Sequence, residues 1–185
     1  MRGLTSSKKK YAGFVQEVIQ NRAFLKFSPK DTIPSVVERM HAENSGSGAI
    51  VDTAGRFVGL LTEREIVRKI FGNLRNMKQH LEALSDPEES KFMTAWDVMI
   101  LKPETLHPHD SIEDALDVIT YFGYRYMPVV NSDIKIEGIV DARELHQHAQ
   151  AKARDIIETK DTLLSYFMYP ERYGGAGGYN IPQAI

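Results

Sequence analysis

Cysteine is missing from all 185 residues, which removes disulfides, thiol nucleophiles and thiolate metal sites from consideration. A strong charge bias is missing too. Twenty-five acidic against 23 basic side chains leave a formal charge of −2, and no basic cluster exceeds Lys8, Lys9 and Lys10, so no nucleic-acid partner is expected. No apolar run approaches the roughly 18 residues of a membrane span, and the first residues have no secretory h-region. The expectation is a cytoplasmic protein with no membrane partner. P-loop and G-x-S-x-G motifs are absent, and no carboxylate pairing is legible along the chain, so an enzyme is not expected.

What is present is a duplication. Residues 27–66 align without a gap on residues 106–145, at an offset of 79. Pro29, Asp31, Ile33, Gly59, Arg64 and Glu65 recur as Pro108, Asp110, Ile112, Gly138, Arg143 and Glu144; Ile50-Val51 stands opposite Val129-Val130.

Each copy carries the same order of signals. A short extended piece, Phe24 to Phe27 or Thr105-Leu106, stops at Ser28-Pro29 or His107-Pro108. Asp31 and Asp110 are placed where helix N-caps would lie. Ile33, Val36, Val37 and Met40, like Ile112, Ala115, Leu116 and Ile119, then repeat at helical spacing. Two short apolar runs follow, Ala49 to Val51 and Phe57 to Leu61 in the first copy, Met127 to Val130 and Ile136 to Val140 in the second. Each second run passes into a helix, predicted over Glu63 to Phe71 and Ala142 to Lys152. The class is α+β, with β-α-β-β-α written twice. Between the copies, Met77 to Leu84 read as helical before Ser85-Asp86-Pro87. Residues 1–10 and the run Gly174-Gly175-Ala176-Gly177-Gly178 contain too few apolar groups to pack and are expected to be flexible.

The segment Gly59-Leu60-Leu61-Thr62-Glu63-Arg64-Glu65-Ile66-Val67-Arg68-Lys69 resembles the G-φ-φ-T/S-x-x-D pattern (φ apolar) of cystathionine β-synthase-type (CBS) domains. Tyr126-Met127-Pro128-Val129-Val130 resembles that family's φ-P-V-V strand. The resemblance covers about residues 11–152 and implies CBS units at 11–72 and 95–152, a helical linker at 73–94, and a C-terminal helix and Gly-rich tail at 153–185. It further implies units packed through their sheets with pseudo-twofold symmetry, two clefts for adenine nucleotides (AMP, ADP, ATP or NAD), a homodimer, and a separate effector protein that receives the signal. Ile66 and Ile70 are the apolar positions expected to be partly exposed for dimerisation.

The resemblance also assigns residues. In the first cleft, Thr62 would donate its hydroxyl to a phosphate at a helix start, and Glu65 would stand where the family's Asp accepts from the ribose diol, one methylene longer. Arg68 and Arg125 would clamp phosphate through their planar guanidinium groups. Ala23, Phe24, Gly48 and Ala49 would lie against adenine, and Tyr126 and Met127 complete the nucleotide-binding set. In the second unit Asp141 replaces the hydroxyl and Glu144 matches Glu65. A carboxylate there repels phosphate unless Arg143 or Arg125 neutralises it, so one phosphate nucleotide per chain is expected, with a neutral or cationic adenosyl group such as S-adenosylmethionine the alternative for that cleft.

Plainer readings stand beside these. T-x-x-E at a helix start is often a capping box alone. Arg64 and Arg143 read more naturally as solvated or salt-bridged residues. His107-x-His109 and His146-x-His148 do not make a metal site, since the first flanks a proline in a loop and residues i and i+2 of a helix face apart. The principal alternative function is a ligand-free CBS scaffold for dimerisation or partner docking.

Overall fold

A computed structural model describes residues 13–85 and 93–168. The flexible segments expected at 1–10 and in the Gly-rich tail lie outside the described residues. The first sheet orders β1 (Leu25–Phe27), β2 (Ser47–Val51), β3 (Phe57–Thr62) and β4 (Ile100–Leu101) as β1-β2-β3-β4, with β1 parallel to β2 and the other pairs antiparallel. The second sheet pairs β5 (Tyr126–Val130) with β6 (Ile136–Asp141), and Leu106 bridges in parallel to Val129 where the first sheet has β1. The expected extended pieces therefore form, but the second is a single bridge rather than a strand.

The duplication is preserved down to strand register. Ser47 pairs with Thr62 and Tyr126 with Asp141; both ladders slip at the same place, between Ile50 and Val51 and between Val129 and Val130. Helix α2 (Ile33–Ala42) buries Ile33, Val36 and Met40, and α6 (Ile112–Phe122) buries Ile112, Ala115 and Ile119, the faces that helical spacing marks out. Helices α3 (Glu63–Ile70) and α7 (Ala142–Met168) each leave the end of a strand without a loop. Helix α7 runs 16 residues past the predicted end at Lys152, while α4 (Leu74–Ser85) forms the helix of the linker's described first part.

Two expectations are corrected. The N-caps are Thr32 and Ser111, one residue after the aspartates. Asp31 instead accepts from the Ser28 amide at 3.0 Å and Asp110 from the His107 amide at 2.7 Å, each closing the turn before its helix. Ile66 and Ile70 are buried, because both face the core of the first unit; the exposed apolar residues of α3 are Val67 and, at its C-cap, Phe71.

The cores are interleaved. Helix α1 (Val15–Ile19) precedes the first unit in sequence but packs Val15, Val18 and Ile19 into the core of the second, among Leu106, Ile112 and Met127. Helix α5 (Ala95–Val98) precedes the second unit and packs Ala95, Val98 and then Met99 into the core of the first, among Phe27, Ile33 and Leu61. The exchange uses matching hydrogen bonds. Val15 N donates to Asp110 O at 3.0 Å and Ile112 N to Gly13 O at 3.0 Å; Ala95 N donates to Asp31 O at 2.8 Å and Ile33 N to Met93 O at 2.9 Å. The recurring glycines serve the same crossing. A Cβ at Gly59 would meet Ile100 O at 2.7 Å, and one at Gly138 would meet Ile19 Cβ at 2.8 Å.

Candidate functional site

The pseudo-twofold arrangement leaves two clefts where the strand-to-helix junctions β3–α3 and β6–α7 face the opposite unit. The first, about 370 Å³, is lined by Thr62, Glu65 and Arg68 from its own unit, by Ile100 and Pro103 after α5, and by Tyr124, Arg125 and Tyr126 from the second unit. The second, about 300 Å³, is lined by Asp141, Arg143 and Glu144, by Arg22, Ala23 and Phe24 after α1, and by Gly46 and Ser47 from the first unit. Arg125, Tyr126 and Glu63 line both.

In the first cleft Thr62 is both the last residue of β3 and the N-cap of α3. Its Oγ accepts from the Glu65 amide at 3.3 Å, so its own hydrogen can be donated to a ligand. The Glu63 amide donates to Gly46 O at 3.1 Å, anchoring the helix start to the neighbouring turn. Glu65 is buried, and its carboxylate accepts from the Arg68 guanidinium at 2.9 Å. Arg68 itself projects into solvent with 68 % of its side chain exposed, so it can turn toward an anion at low cost. Arg125 lies over the Tyr126 ring, 4.9 Å from its centroid. Burial pushes the Tyr126 phenol up, against the opposing charge of Arg125, which keeps the hydroxyl protonated.

The second cleft repeats the frame with different chemistry. The Ala142 amide donates to Arg125 O at 2.8 Å, the counterpart of Glu63 to Gly46. Asp141 is buried and accepts from the Arg143 amide at 2.8 Å and from the Arg143 side chain at 3.2 and 2.9 Å, with Arg125 Nε 3.7 Å away. Burial opposes its ionisation, but the hydrogen bonds and charge of Arg143, with the charge of Arg125, prevail and hold the carboxyl below the usual aspartate range. Glu144 is clamped by both terminal nitrogens of Arg22, one at 2.8 Å. The neutralisation that the sequence left open for Asp141 is thus in place, by both arginines.

The twelve residues singled out from sequence do not meet in one cleft. Thr62, Glu65 and Arg68 line the first; Ala23, Phe24, Asp141 and Glu144 line the second; Arg125 and Tyr126 line both. Gly48 and Ala49 are buried within β2, where Gly48 makes room for the Phe27 ring, and Met127 is buried in the second core. Sequence reasoning missed Ile100, Pro103 and Tyr124 in the first cleft. The signal was the duplication itself, since Ala23 and Phe24 sit just after α1 as Ile100 and Pro103 sit after α5. Their crossing to the other unit follows only from the helix exchange.

The comparisons agree with this architecture. The CBS domain family model matches residues 15–72 and 95–150. An uncharacterized 17.7 kDa protein from Acidianus ambivalens is 32% identical over 117 residues, 63% of this chain and 62% of that protein. An uncharacterized protein from Methanopyrus kandleri is 25% identical over 129 residues, 70% of this chain and 59% of its own length. The chain thus spans about three fifths of the curated relatives it matches. Among solved structures, a CBS-domain containing protein from Agrobacterium tumefaciens superposes with TM-score 0.58 at 16% identity, covering 77% of this chain and 98% of that one. CBSX2, a CBS-pair protein of Arabidopsis thaliana, has in its complex with AMP a TM-score of 0.57 at 20% identity, covering 75% and 97%. A Methanocaldococcus jannaschii protein described as a candidate archaeal homologue of γ-AMPK gives TM-score 0.60 at 18% identity, covering 72% of this chain and 49% of its own. The duplicated register, the two mirrored clefts and the two matched segments make this chain a member of the CBS domain family, built as a tandem pair.

Proposed function

We propose that the chain is a regulatory module that binds one adenine nucleotide in its first cleft and transmits occupancy to a separate effector protein, with no catalysis of its own. The observation that carries this reading is the alignment of Thr62, Glu65 and Arg68 along one junction, facing Arg125 and an apolar wall of Ile100 and Pro103. A hydroxyl donor and two solvent-exposed guanidinium groups suit a phosphate, a buried carboxylate suits a ribose diol, and the apolar wall suits a purine face. On binding, Arg68 exchanges Glu65 for phosphate and frees the carboxylate for the sugar. AMP held by the CBSX2 fold supports the ligand class. AMP, ADP, ATP and NAD share the adenosine and phosphate on which the reading depends. The module acts as a homodimer, and bound ligand shifts its equilibrium toward the state its effector prefers.

The test is calorimetric titration with AMP and with adenosine, paired with thermal shift. AMP at 100 times its dissociation constant stabilises the fold by about 2.7 kcal/mol, a rise of roughly 5–10 °C for a chain of this size. One AMP per chain is expected, with adenosine weaker. No shift with millimolar AMP, ADP, ATP, NAD or S-adenosylmethionine favours the ligand-free scaffold, for which the ion-paired side chains of the second cleft already speak.

A further inference from the structure

Where α6 passes into β5 the chain reads Tyr121-Phe122-Gly123-Tyr124-Arg125-Tyr126, four aromatic rings in six residues. Gly123 ends α6 in the left-handed conformation, at φ +66°, and its amide and that of Tyr124 both donate to Ile119 O, the latter at 3.2 Å. This closed turn folds Tyr124 back beside Phe122. Their rings stack with centroids 5.3 Å apart and planes 13° from parallel, and Tyr121 meets Phe122 edge-on at 4.9 Å. Tyr124 packs against the second core. Phe122 belongs to neither core and is 46 % exposed, so the pair does more than close a hydrophobic interior.

Both rings line the first cleft. The same turn of the first unit, which faces the second cleft, reads Glu43, Asn44 and Ser45 where this one reads Phe122, Gly123 and Tyr124. The aromatic wall therefore belongs to one cleft only, and it is the cleft whose Thr62 hydroxyl is free to donate. Charge follows the same asymmetry. Arg64 lines the first cleft and holds no carboxylate among the described residues, whereas its equivalent Arg143 is bound to Asp141. With Arg68 and Arg125 it makes three guanidinium groups around one site, more than a single phosphate needs. The nucleotide reading above accounts for Glu65 with ribose and for Ile100 and Pro103 with purine; it leaves the Phe122–Tyr124 pair and Arg64 without a role. A docking surface for another protein fits less well, because the pair stands in the wall of a concave site of about 370 Å³, the size that takes small molecules.

We propose that the first cleft is built for a two-base nucleotide: adenosine at the β3–α3 junction, a chain of two or more phosphates across Arg68, Arg125 and Arg64, and a second planar base stacked on the exposed face of Phe122. Stacking on an aromatic platform tolerates many bases, so the second base is specified by its plane rather than its edge. This rests on the adenine-nucleotide reading of the same cleft and names the ligand class within it.

Calorimetric titration of the full chain compares two-base ligands with one-base controls carrying the same phosphate chain: NAD against ADP-ribose, and diadenosine tetraphosphate against adenosine 5′-tetraphosphate. In at least one pair the two-base ligand should bind about tenfold tighter or more, the worth of one stacked base, and that pair gives the phosphate length that reaches the platform. Phe122→Ala, checked for its fold by circular dichroism, should erase the ratio and leave AMP affinity nearly unchanged, while Phe122→Tyr should keep the ratio. Equal binding within both pairs, in a chain that binds AMP, would overturn the platform alone. Equal losses of AMP and the two-base ligand in Phe122→Ala would put adenine itself on the ring and overturn it too. No binding of AMP or of any of the four would overturn the nucleotide reading and the platform together.

Discussion

The two CBS units share register, bulge and helix junctions, yet they present opposite chemistry at equivalent points. Thr62 caps α3 with a hydroxyl that can still donate; Asp141 at the same place spends its carboxylate on Arg143 and Arg125. Glu65 and Glu144 are both held by arginines, but by different ones. Arg68 is a helix neighbour three residues on, whereas Arg22 comes from 122 residues away along the chain. Between α2 and α3 the first unit has Pro34, Val67 and Phe71 where the second has Glu113, His146 and Gln150. A duplicated frame thus carries two different chemistries, a hydroxyl free to donate in one unit and a paired carboxylate in the other, on the same strand register. The frame depends on both units at once, because each core contains a helix from the other.

The largest expected effect tests that mutual dependence. Val15 and Val98 are fully buried in the core of the unit they do not precede. Val15→Asp and Val98→Asp each place an unpaired carboxylate there and should destabilise by about 4 kcal/mol or more. Calorimetry should show one transition in each case, lowered by about 10 °C or more. Two separated transitions would mean that the units fold independently.

The next prediction tries to erase the difference between the clefts. Asp141→Thr removes the carboxylate and releases Arg143 and Arg125 toward the cleft, so AMP stoichiometry should rise from one toward two per chain, with the second site strengthened by about a hundredfold. Asp141→Asn should recover part of that gain. Two equal sites in the unmodified chain would show that the two arginines already satisfy both the aspartate and a phosphate.

In the first cleft, Thr62→Val and Arg68→Ala should each weaken AMP by about tenfold, the worth of one charge-assisted hydrogen bond, while adenosine changes little. Equal losses for AMP and adenosine would assign both residues to fold rather than phosphate.

The smallest effect concerns acid. The Phe14 amide and Lys152 hold the Glu17 carboxyl below the usual glutamate range, and through it α1 is tied to α7. A depressed carboxyl stabilises the fold above its unfolded value and loses that contribution as pH falls through its folded value, so the melting temperature should drop on acidification below about pH 5. Glu17→Gln should start lower at neutral pH and fall less steeply over the same range.

Most of the secondary structure was legible, because it rests on periodicity that local sequence carries. Ile33, Val36 and Met40 predict the buried face of α2 by spacing alone, and the offset of 79 pairs β2–β3 with β5–β6 before any coordinates are known. Short elements were not legible. α1, α5 and β4 have five, four and two residues, too few to show a period, and they form because the opposite unit supplies their hydrogen bonds and core. The N-cap expectation missed by one residue for a related reason. Asp31 and Asp110 had two backbone turns within reach, and the preceding one won.

By itself the sequence determined the family, the duplication, the strand and helix order, and the residue types at each junction, all of which depend on patterns within one unit. Tertiary structure alone decided which residues share a cleft. Ala23 and Phe24 left the company of Thr62, while Ile100, Pro103 and Tyr124 joined it, because α1 and α5 each cross to the partner unit and carry the chain after them across. The pairing of Asp141 with two arginines belongs to the same class, as Arg125 lies 16 residues away along the chain and reaches the aspartate only through the ladder that sets Tyr126 beside it. Sequence reports which groups are available; distance between groups far apart in the chain exists only after folding.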